Sequence, residues 1–232
     1  MLDAKVAIVT GGTGDVGRGV CRALSAAGAT VIALDIDVSR AEGAASARVC
    51  DVSDPVACRD AVGQVIEEFG RVDALVNMAQ HMGPMVPLAE VTDGELSLEI
   101  DSGPRATLRM MQLCYPHMKA RNGGSIINFA SGAGTFGMAG LGSYAAAKEA
   151  IRGLTKVAAV EWGRDNITVN AICPVAATDP ARLGEGVEAV IPMGRVGNPE
   201  TDIGPVVVFL AGPGHYITGR TLQVDGGAGS WR

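Results

Sequence analysis

Lys5-Val-Ala-Ile-Val-Thr10-Gly11-Gly12-Thr13-Gly14-Asp15-Val16-Gly17, followed by a helix-like stretch over 18–27, passes from a β-branched apolar run through a glycine turn into a helix. Such a turn brings backbone N–H groups against a pyrophosphate, the helix N-terminus adds favourable partial charge, and Gly17 permits close helix–strand packing. Glycines at this spacing alone are a weak signal; between a strand and a helix they are a strong one. Gly11, Thr13, Gly14, Asp15, Val16 and Gly17 are therefore the candidate phosphate-side positions. Asp15 stands apart, because an acid beside a pyrophosphate repels it unless the side chain turns away.

Outward from this turn, strands and helices alternate. Thr30-Val-Ile-Ala-Leu34 reads as the second strand and ends at Asp35. An acid there accepts hydrogen bonds from adenosine ribose hydroxyls and repels a 2′-phosphate, which favours NAD over NADP. A short strand over 47–50 leads to Asp51-Val52, and Asp54 has the chemistry of an N-cap for an amphipathic helix over 55–69 that Gly70 closes. Further strands are expected over 72–76, 124–130 and 166–173, with a last one from Thr221. A long helical pattern over 92–121 contains Gly103 and Pro104, and a proline there removes a helix hydrogen bond and splits or kinks the helix. The pattern predicts an α/β fold: a three-layer, doubly wound parallel sheet of about seven strands, with residues 1–232 forming a single domain.

Chemistry concentrates in Ser131-Gly-Ala-Gly-Thr-Phe-Gly-Met-Ala-Gly-Leu-Gly-Ser-Tyr144-Ala-Ala-Ala-Lys148. In a helix, Tyr144 and Lys148 share a face one turn apart. A free phenol titrates near ~10, and a neighbouring ammonium favours the phenolate, so Lys148 is expected to bring Tyr144 toward neutrality as a proton acceptor or donor. Ser131 ends an apolar strand, where its hydroxyl can hold a substrate oxygen.

Composition narrows the classes. The formal charge is −6 with no Lys/Arg cluster, a poor match to nucleic acid, whose phosphates must be neutralised. Five scattered cysteines without a Cys-x-x-Cys spacing fit small buried thiols in a reducing compartment; no metal site is expected. The chain enters its first strand without a signal-peptide pattern, and its longest uncharged run is too rich in Gly and Ser for a membrane span. A soluble cytoplasmic protein with a small or neutral partner is expected.

Ser131, Tyr144 and Lys148 together resemble the short-chain dehydrogenase/reductase family, matching its Ser, Tyr and Lys one for one. The resemblance runs from Lys5 to the closing Val224-Asp225-Gly226-Gly227, and it implies a Rossmann sheet and a nicotinamide cofactor. It assigns Asp51 and Val52 to the adenine, Asn77 and Ala79 to the cofactor side of the fourth strand, Lys148 to the nicotinamide ribose, and Pro174 and Thr178 to the nicotinamide, with Asp179 the alternative to Thr178. The chain also departs from the family. Asp15 stands where a glycine is usual, Met78 and Gln80 replace Asn and Gly of Asn-Asn-Ala-Gly, and Val175 replaces a glycine. The family's fourth catalytic residue, an asparagine that holds a water in a proton relay to the lysine, falls on Gly103, leaving Ser102, Asp101 or a backbone carbonyl to stand in. The mobile substrate lid is shortened to about 179–191.

These readings imply NAD-dependent interconversion of a secondary alcohol and a ketone, in which Tyr144 exchanges the hydroxyl proton and Ser131 holds the oxygen. Met82, Met85, Phe136, Met138 and Met193 are candidates for an apolar substrate wall. The small-residue face of the helix over 141–162 (Ala145, Ala146, Ala150, Gly153) suits a partner subunit, as in the family's homodimers and homotetramers. The rival is a non-catalytic NAD(H)-binding sensor or scaffold, toward which the departures lean; the intact Ser131, Tyr144 and Lys148 lean the other way.

Overall fold

The computed structural model describes residues 1–177 and 186–229. Seven parallel strands form one sheet: β1 (Val6–Thr10), β2 (Thr30–Asp35), β3 (Ser46–Val49), β4 (Ala74–Asn77), β5 (Gly124–Phe129), β6 (Ile167–Pro174) and β7 (Thr221–Val224), in the order β3-β2-β1-β4-β5-β6-β7. The central strands are apolar throughout because both faces are covered, as parallel sheets require. All of β1 is buried, whereas the edge strands β3 and β7 are only partly so.

One face is covered by α1 (Asp15–Ala26) and α7 (Gly204–Ala211), which close a core of Val20, Leu24, Val207 and Leu210 against Val9, Val31 and Ile127. The other is covered by α2 (Pro55–Phe69), α4 (Ala106–Ala120) and α6 (Gly142–Trp162), with Val65, Met110, Met118 and Ala158 packed on Ile8, Leu75 and Ile126. The doubly wound, single-domain expectation therefore holds. All five cysteines are free and buried, and none of the described helices is long and apolar enough to cross a membrane.

Local signals behave as their chemistry dictates. The Asp54 carboxylate accepts from the Val56 N–H at 2.8 Å, Pro55 opens α2, and Gly70 closes it in the left-handed conformation at φ 68°. The long pattern over 92–121 is split at Pro104. α3 (Asp93–Ile100) begins in a capping box between Thr92 and Glu95, then a π-helical turn, Asp101–Arg105, carries Gly103 and Pro104 before α4 resumes. A short helix that the sequence pattern does not announce, α5 (Gly132–Phe136), follows β5 directly.

A buried polar chain locks the sheet to α6. Asn77 Nδ2 donates to Asn128 Oδ1 at 2.9 Å, and Asn128 Nδ2 donates to Thr155 Oγ1, also at 2.9 Å. Asn128 is fully buried, so truncating it strands both partners. Asn128→Ala should lower the unfolding free energy by about 3 kcal/mol, read as a lower urea midpoint at unchanged slope.

Candidate active site

The carboxyl ends of β1, β2, β4, β5 and β6 carry almost every candidate residue, and β1 lies at the point where strand order reverses, between β2 and β4. The turn after β1 is built by contact. Gly11 has φ 69°, its N–H donates to Leu34 O at 2.8 Å, and a Cβ on it would meet the Ala79 backbone at 3.0 Å. Thr10 Oγ1 accepts from the Met78 and Ala79 N–H groups at 3.1 and 3.2 Å, drawing the end of β4 onto the turn. A Cβ at 17 would stand 2.0 Å from Gly11 O and 2.8 Å from Gly12 backbone atoms, so only glycine lets α1 start this close. The result is a backbone cradle at a helix N-terminus, which fits a dinucleotide pyrophosphate.

Asp15 does not disrupt the cradle. Its carboxylate is 3.7 Å from Arg18 in the first turn of α1, both side chains being mostly buried, and an acid there also suits the helix dipole. Arg18 Nη1 in turn reaches Thr13 O at 3.4 Å. At the end of β2, Asp35 Oδ2 accepts from the Thr13 N–H (3.1 Å) and Oδ1 from the Ile36 N–H (2.8 Å), which leaves acceptor capacity on both oxygens for a ribose. Asp51 Oδ1 accepts from the backbone and hydroxyl of Ser53, and Val52 is buried beneath it with its carbonyl held by Arg109 at 2.6 Å. Asn77 spends its amide on Asn128, inside the sheet. Pro174 ends β6; Thr178 and Asp179 lie outside the described residues, as does most of the segment expected as the lid, of which only residues 186–191 are described.

Ser131, Tyr144 and Lys148 converge where β5 meets α5 and α6. Ser131 caps α5, accepting from the Ala133 N–H at 3.1 Å, and its hydroxyl favours the ionised form of the Tyr144 phenol. Lys148 is 3% exposed; its Nζ donates to Phe129 O at 2.8 Å and lies 5.4 Å from the Tyr144 ring centroid. Burial sets both protons. It pushes the phenol up to about 12, the Ser131 hydroxyl acting against it, and pulls the Lys148 ammonium down to about 8. The expectation that Lys148 draws Tyr144 toward neutrality is thus reversed here, because desolvation outweighs the neighbouring charge and the ammonium is bonded to a carbonyl rather than to the phenol oxygen.

Of the candidate wall, Met82, Met85, Met138 and Met193 are exposed and apolar. Val86 pairs with Gly140, which lays the loop after β4 along the loop between α5 and α6 and brings Met85 against Gly140. Phe136 instead packs beneath the C-terminal turn at Gly229. Two residues without an assigned role also reach this end. Glu99, on the last turn of α3, is 2% exposed, and the Gln80 amide lies against Gly103.

A family model described as enoyl-(acyl carrier protein) reductase matches residues 13–229. A 12α-hydroxysteroid dehydrogenase of Clostridium sp. (strain ATCC 29733 / VPI C48-50) is 42% identical, the alignment covering 99% of this chain and 98% of that protein. The chain belongs to the short-chain dehydrogenase/reductase family. A D-threitol dehydrogenase of Mycolicibacterium smegmatis (strain ATCC 700084 / mc(2)155) is 34% identical across 97% of this chain and 93% of its own length. The crystal structure of levodione reductase superposes with a TM-score of 0.92 at 27% identity, over the whole of both chains. As a member of this family the protein is an oxidoreductase acting on CH–OH donors with a nicotinamide cofactor, and the cradle after β1 has the shape for that group.

Gly17→Ala tests the cradle. Its methyl must displace backbone, so affinity for the dinucleotide should fall at least ~10-fold in a fluorescence titration, while the circular dichroism of the sheet persists.

Proposed function

We propose that the protein is an NAD-dependent dehydrogenase interconverting a secondary alcohol and a ketone on a bulky apolar skeleton, with Tyr144 as the acid/base. The observation that carries this reading is the convergence of Ser131, Tyr144 and Lys148 at the carboxyl end of the sheet, beside the glycine cradle. The nicotinamide, when bound, supplies the hydride chemistry. The chain's own residues handle the oxygen and its proton.

In ketone reduction the Tyr144 phenol donates its proton to the nascent alkoxide, and the Ser131 hydroxyl donates a hydrogen bond to the same oxygen. In alcohol oxidation the phenol oxygen takes the proton back. Lys148 places a positive charge beneath the ring and favours the phenolate whenever it forms. The phenol is held protonated at neutral pH, so the resting site is set for donation. Thr178 is assigned to the nicotinamide carboxamide.

NAD preference rests on Asp35, whose carboxylate stands at the end of β2 where a 2′-phosphate would have to sit. The apolar substrate class rests on exposed Met82, Met85 and Met138 along adjoining loops, and on the similarity to a 12α-hydroxysteroid dehydrogenase. Assembly as a homodimer or homotetramer is supported by α6, whose Ala146, Ala150, Gly153, Val157 and Val160 face outward. The sensor reading has no comparable support, because a pure binder has no use for a phenol and an ammonium sequestered together.

Two experiments test this. Assayed on a panel of hydroxysteroids and smaller secondary alcohols, the protein should oxidise a panel member with a rate that climbs with pH through neutrality, since the phenolate fraction grows below a midpoint raised to about 12. Tyr144→Phe should lose at least ~10²-fold in that rate while still binding NADH, and retained turnover would exclude Tyr144 as the proton carrier. Asp35→Ser should shift the ratio of NAD to NADP efficiency toward NADP by ~10-fold or more, measured as kcat/KM for each cofactor.

A further inference from the structure

Glu99 is a buried carboxylate held by neutral donors. Its Oε1 accepts from the Gly83 N–H at 2.8 Å and its Oε2 from Gln80 Nε2 at 3.0 Å. Neither donor cancels its charge, and a carboxylate removed from water calls for a cation. Among the described residues, the buried cation at this end of the sheet is Lys148, on α6, against which α3 and the π-helical turn both pack. The two are too far apart to form an ion pair in contact, yet the Glu99 charge acts on Lys148 and on Tyr144 alike.

Among the described residues, the other titratable groups on the elements around Lys148 do not compete for this role. From β6 comes the Cys173 thiol, which burial keeps protonated; in the π-helical turn Asp101 is paired with Arg105; on α3 Glu95 is committed to capping Thr92, and Asp93 is exposed. On α6 itself Glu149 is paired with Arg152.

Gln80 has an equally specific position. A Cβ on Gly103 would stand 2.9 Å from Gln80 Cδ and Oε1 and 3.0 Å from Nε2, so the Gln80 amide fills the space that a side chain at 103 would enter. Gln80 Oε1 is buried without a hydrogen-bond partner, an acceptor left open in the same place. Ser102 completes the attachment, its Oγ accepting from the His81 N–H at 3.0 Å and so fastening the loop that carries Gln80 to the π-helical turn. The two departures from the family pattern are thus one exchange. A polar amide reaches the space beside 103 from the β4 loop, where the family would send an asparagine from the helix.

We propose that Glu99 is the counter-charge of the buried Lys148 ammonium, and that Gln80, lodged in the space of a side chain at 103, is the positioning residue that holds Glu99 there. The proposal rests on the assignment of Tyr144 and Lys148 as the acid/base pair for its functional meaning, but its test needs neither substrate nor cofactor. Removing a negative charge near a base disfavours the protonated form, so loss of Glu99 must lower the Lys148 midpoint.

The chain has four lysines, Lys5, Lys119, Lys148 and Lys156, few enough for lysine-13Cε NMR with each signal assigned by a Lys→Arg variant. In the wild type Lys148 should titrate near the value of about 8 that burial gives it. Glu99→Gln keeps an acceptor for the Gly83 N–H and removes the charge. The Lys148 midpoint should then fall by about one pH unit or more, with Lys5, Lys119 and Lys156 unmoved. An unmoved Lys148 midpoint in folded Glu99→Gln overturns the proposal. Gln80→Ala gives a second route if Glu99→Gln does not fold: a loosened Glu99 should again lower the Lys148 midpoint, and no change would overturn the proposal as surely.

The exchange between 80 and 103 has its own signature. Gly103→Asn alone should destabilise the fold by steric conflict with Gln80, and the double variant Gln80→Gly/Gly103→Asn should recover thermal stability and dinucleotide binding. Additive damage in the double variant would show that the two positions do not share one space. If the lysine shift appears while no alcohol or ketone is turned over, the counter-charge stands and the dehydrogenase reading falls.

Discussion

An ammonium sealed inside the protein organises the active end of the sheet. Lys148 is 3% exposed, and a charge so placed needs oriented partners. The nearest is Phe129 O, 2.8 Å away on the last residue of β5. One residue earlier, Asn128 bonds Thr155 Oγ1, seven positions beyond Lys148 on the same helix. Two bonds from adjacent residues of β5 thus fix both the rotation and the height of α6. Tyr144, one turn above Lys148, has no freedom to choose its position, and the chain leaving β5 must deliver Ser131 to it. The short helix α5 follows from the same geometry, because Ser131 turns the chain and caps α5 at Ala133.

Burial acts on Tyr144 and Lys148 in opposite senses because their charged forms have opposite protonation. Desolvation raises the phenol and lowers the ammonium, so each is pushed toward its neutral form. Glu99 breaks the symmetry. Its negative charge reinforces burial at the phenol and opposes it at the ammonium, so it favours the proton on both groups. A site built this way holds a neutral phenol above a positive lysine at neutral pH. In the proposed mechanism that is the state from which a proton is given to an alkoxide, with the lysine charge in place to stabilise the phenolate left behind.

Much of this was legible in the sequence, for reasons tied to particular residues. The glycine turn, the N-cap at Asp54, the C-cap at Gly70 and the split at Pro104 are local, each set by the conformational limits of one or two residues. The pairing of Tyr144 with Lys148 follows from helical spacing alone. What escaped is non-local. Glu99 reads as one more acid on an exposed helix, and only the arrival of the Gly83 N–H and the Gln80 amide marks it as interior. Gln80 and Gly103 were visible as two separate departures, a large residue where a small one is usual and the converse; taken together they are the signal of a volume exchange. The direction of the Tyr144 shift escaped for a different reason. A pairwise argument counts the neighbouring charge, whereas the burial that outweighs it comes from the whole fold.

The same coupling of parts bears on the cofactor choice proposed for this chain. In the proposed reading Asp35 discriminates a ribose hydroxyl from a phosphate, and one of its oxygens also accepts the Thr13 N–H within the glycine turn. Thr13 is buried, and its hydroxyl donates to Asp37 O at 2.7 Å, so the turn after β1 is stitched to the end of β2 at two points. The carboxylate therefore shapes the glycine turn as well as the ribose site proposed for it. Discrimination and loop geometry are not independent in this chain: a residue at 35 that admits a 2′-phosphate also releases the Thr13 amide. On the proposed reading, a change at 35 made to alter cofactor preference needs a second change that recaptures that N–H, and Asp37 and Ile36, which already contact this corner, are where it would have to come from.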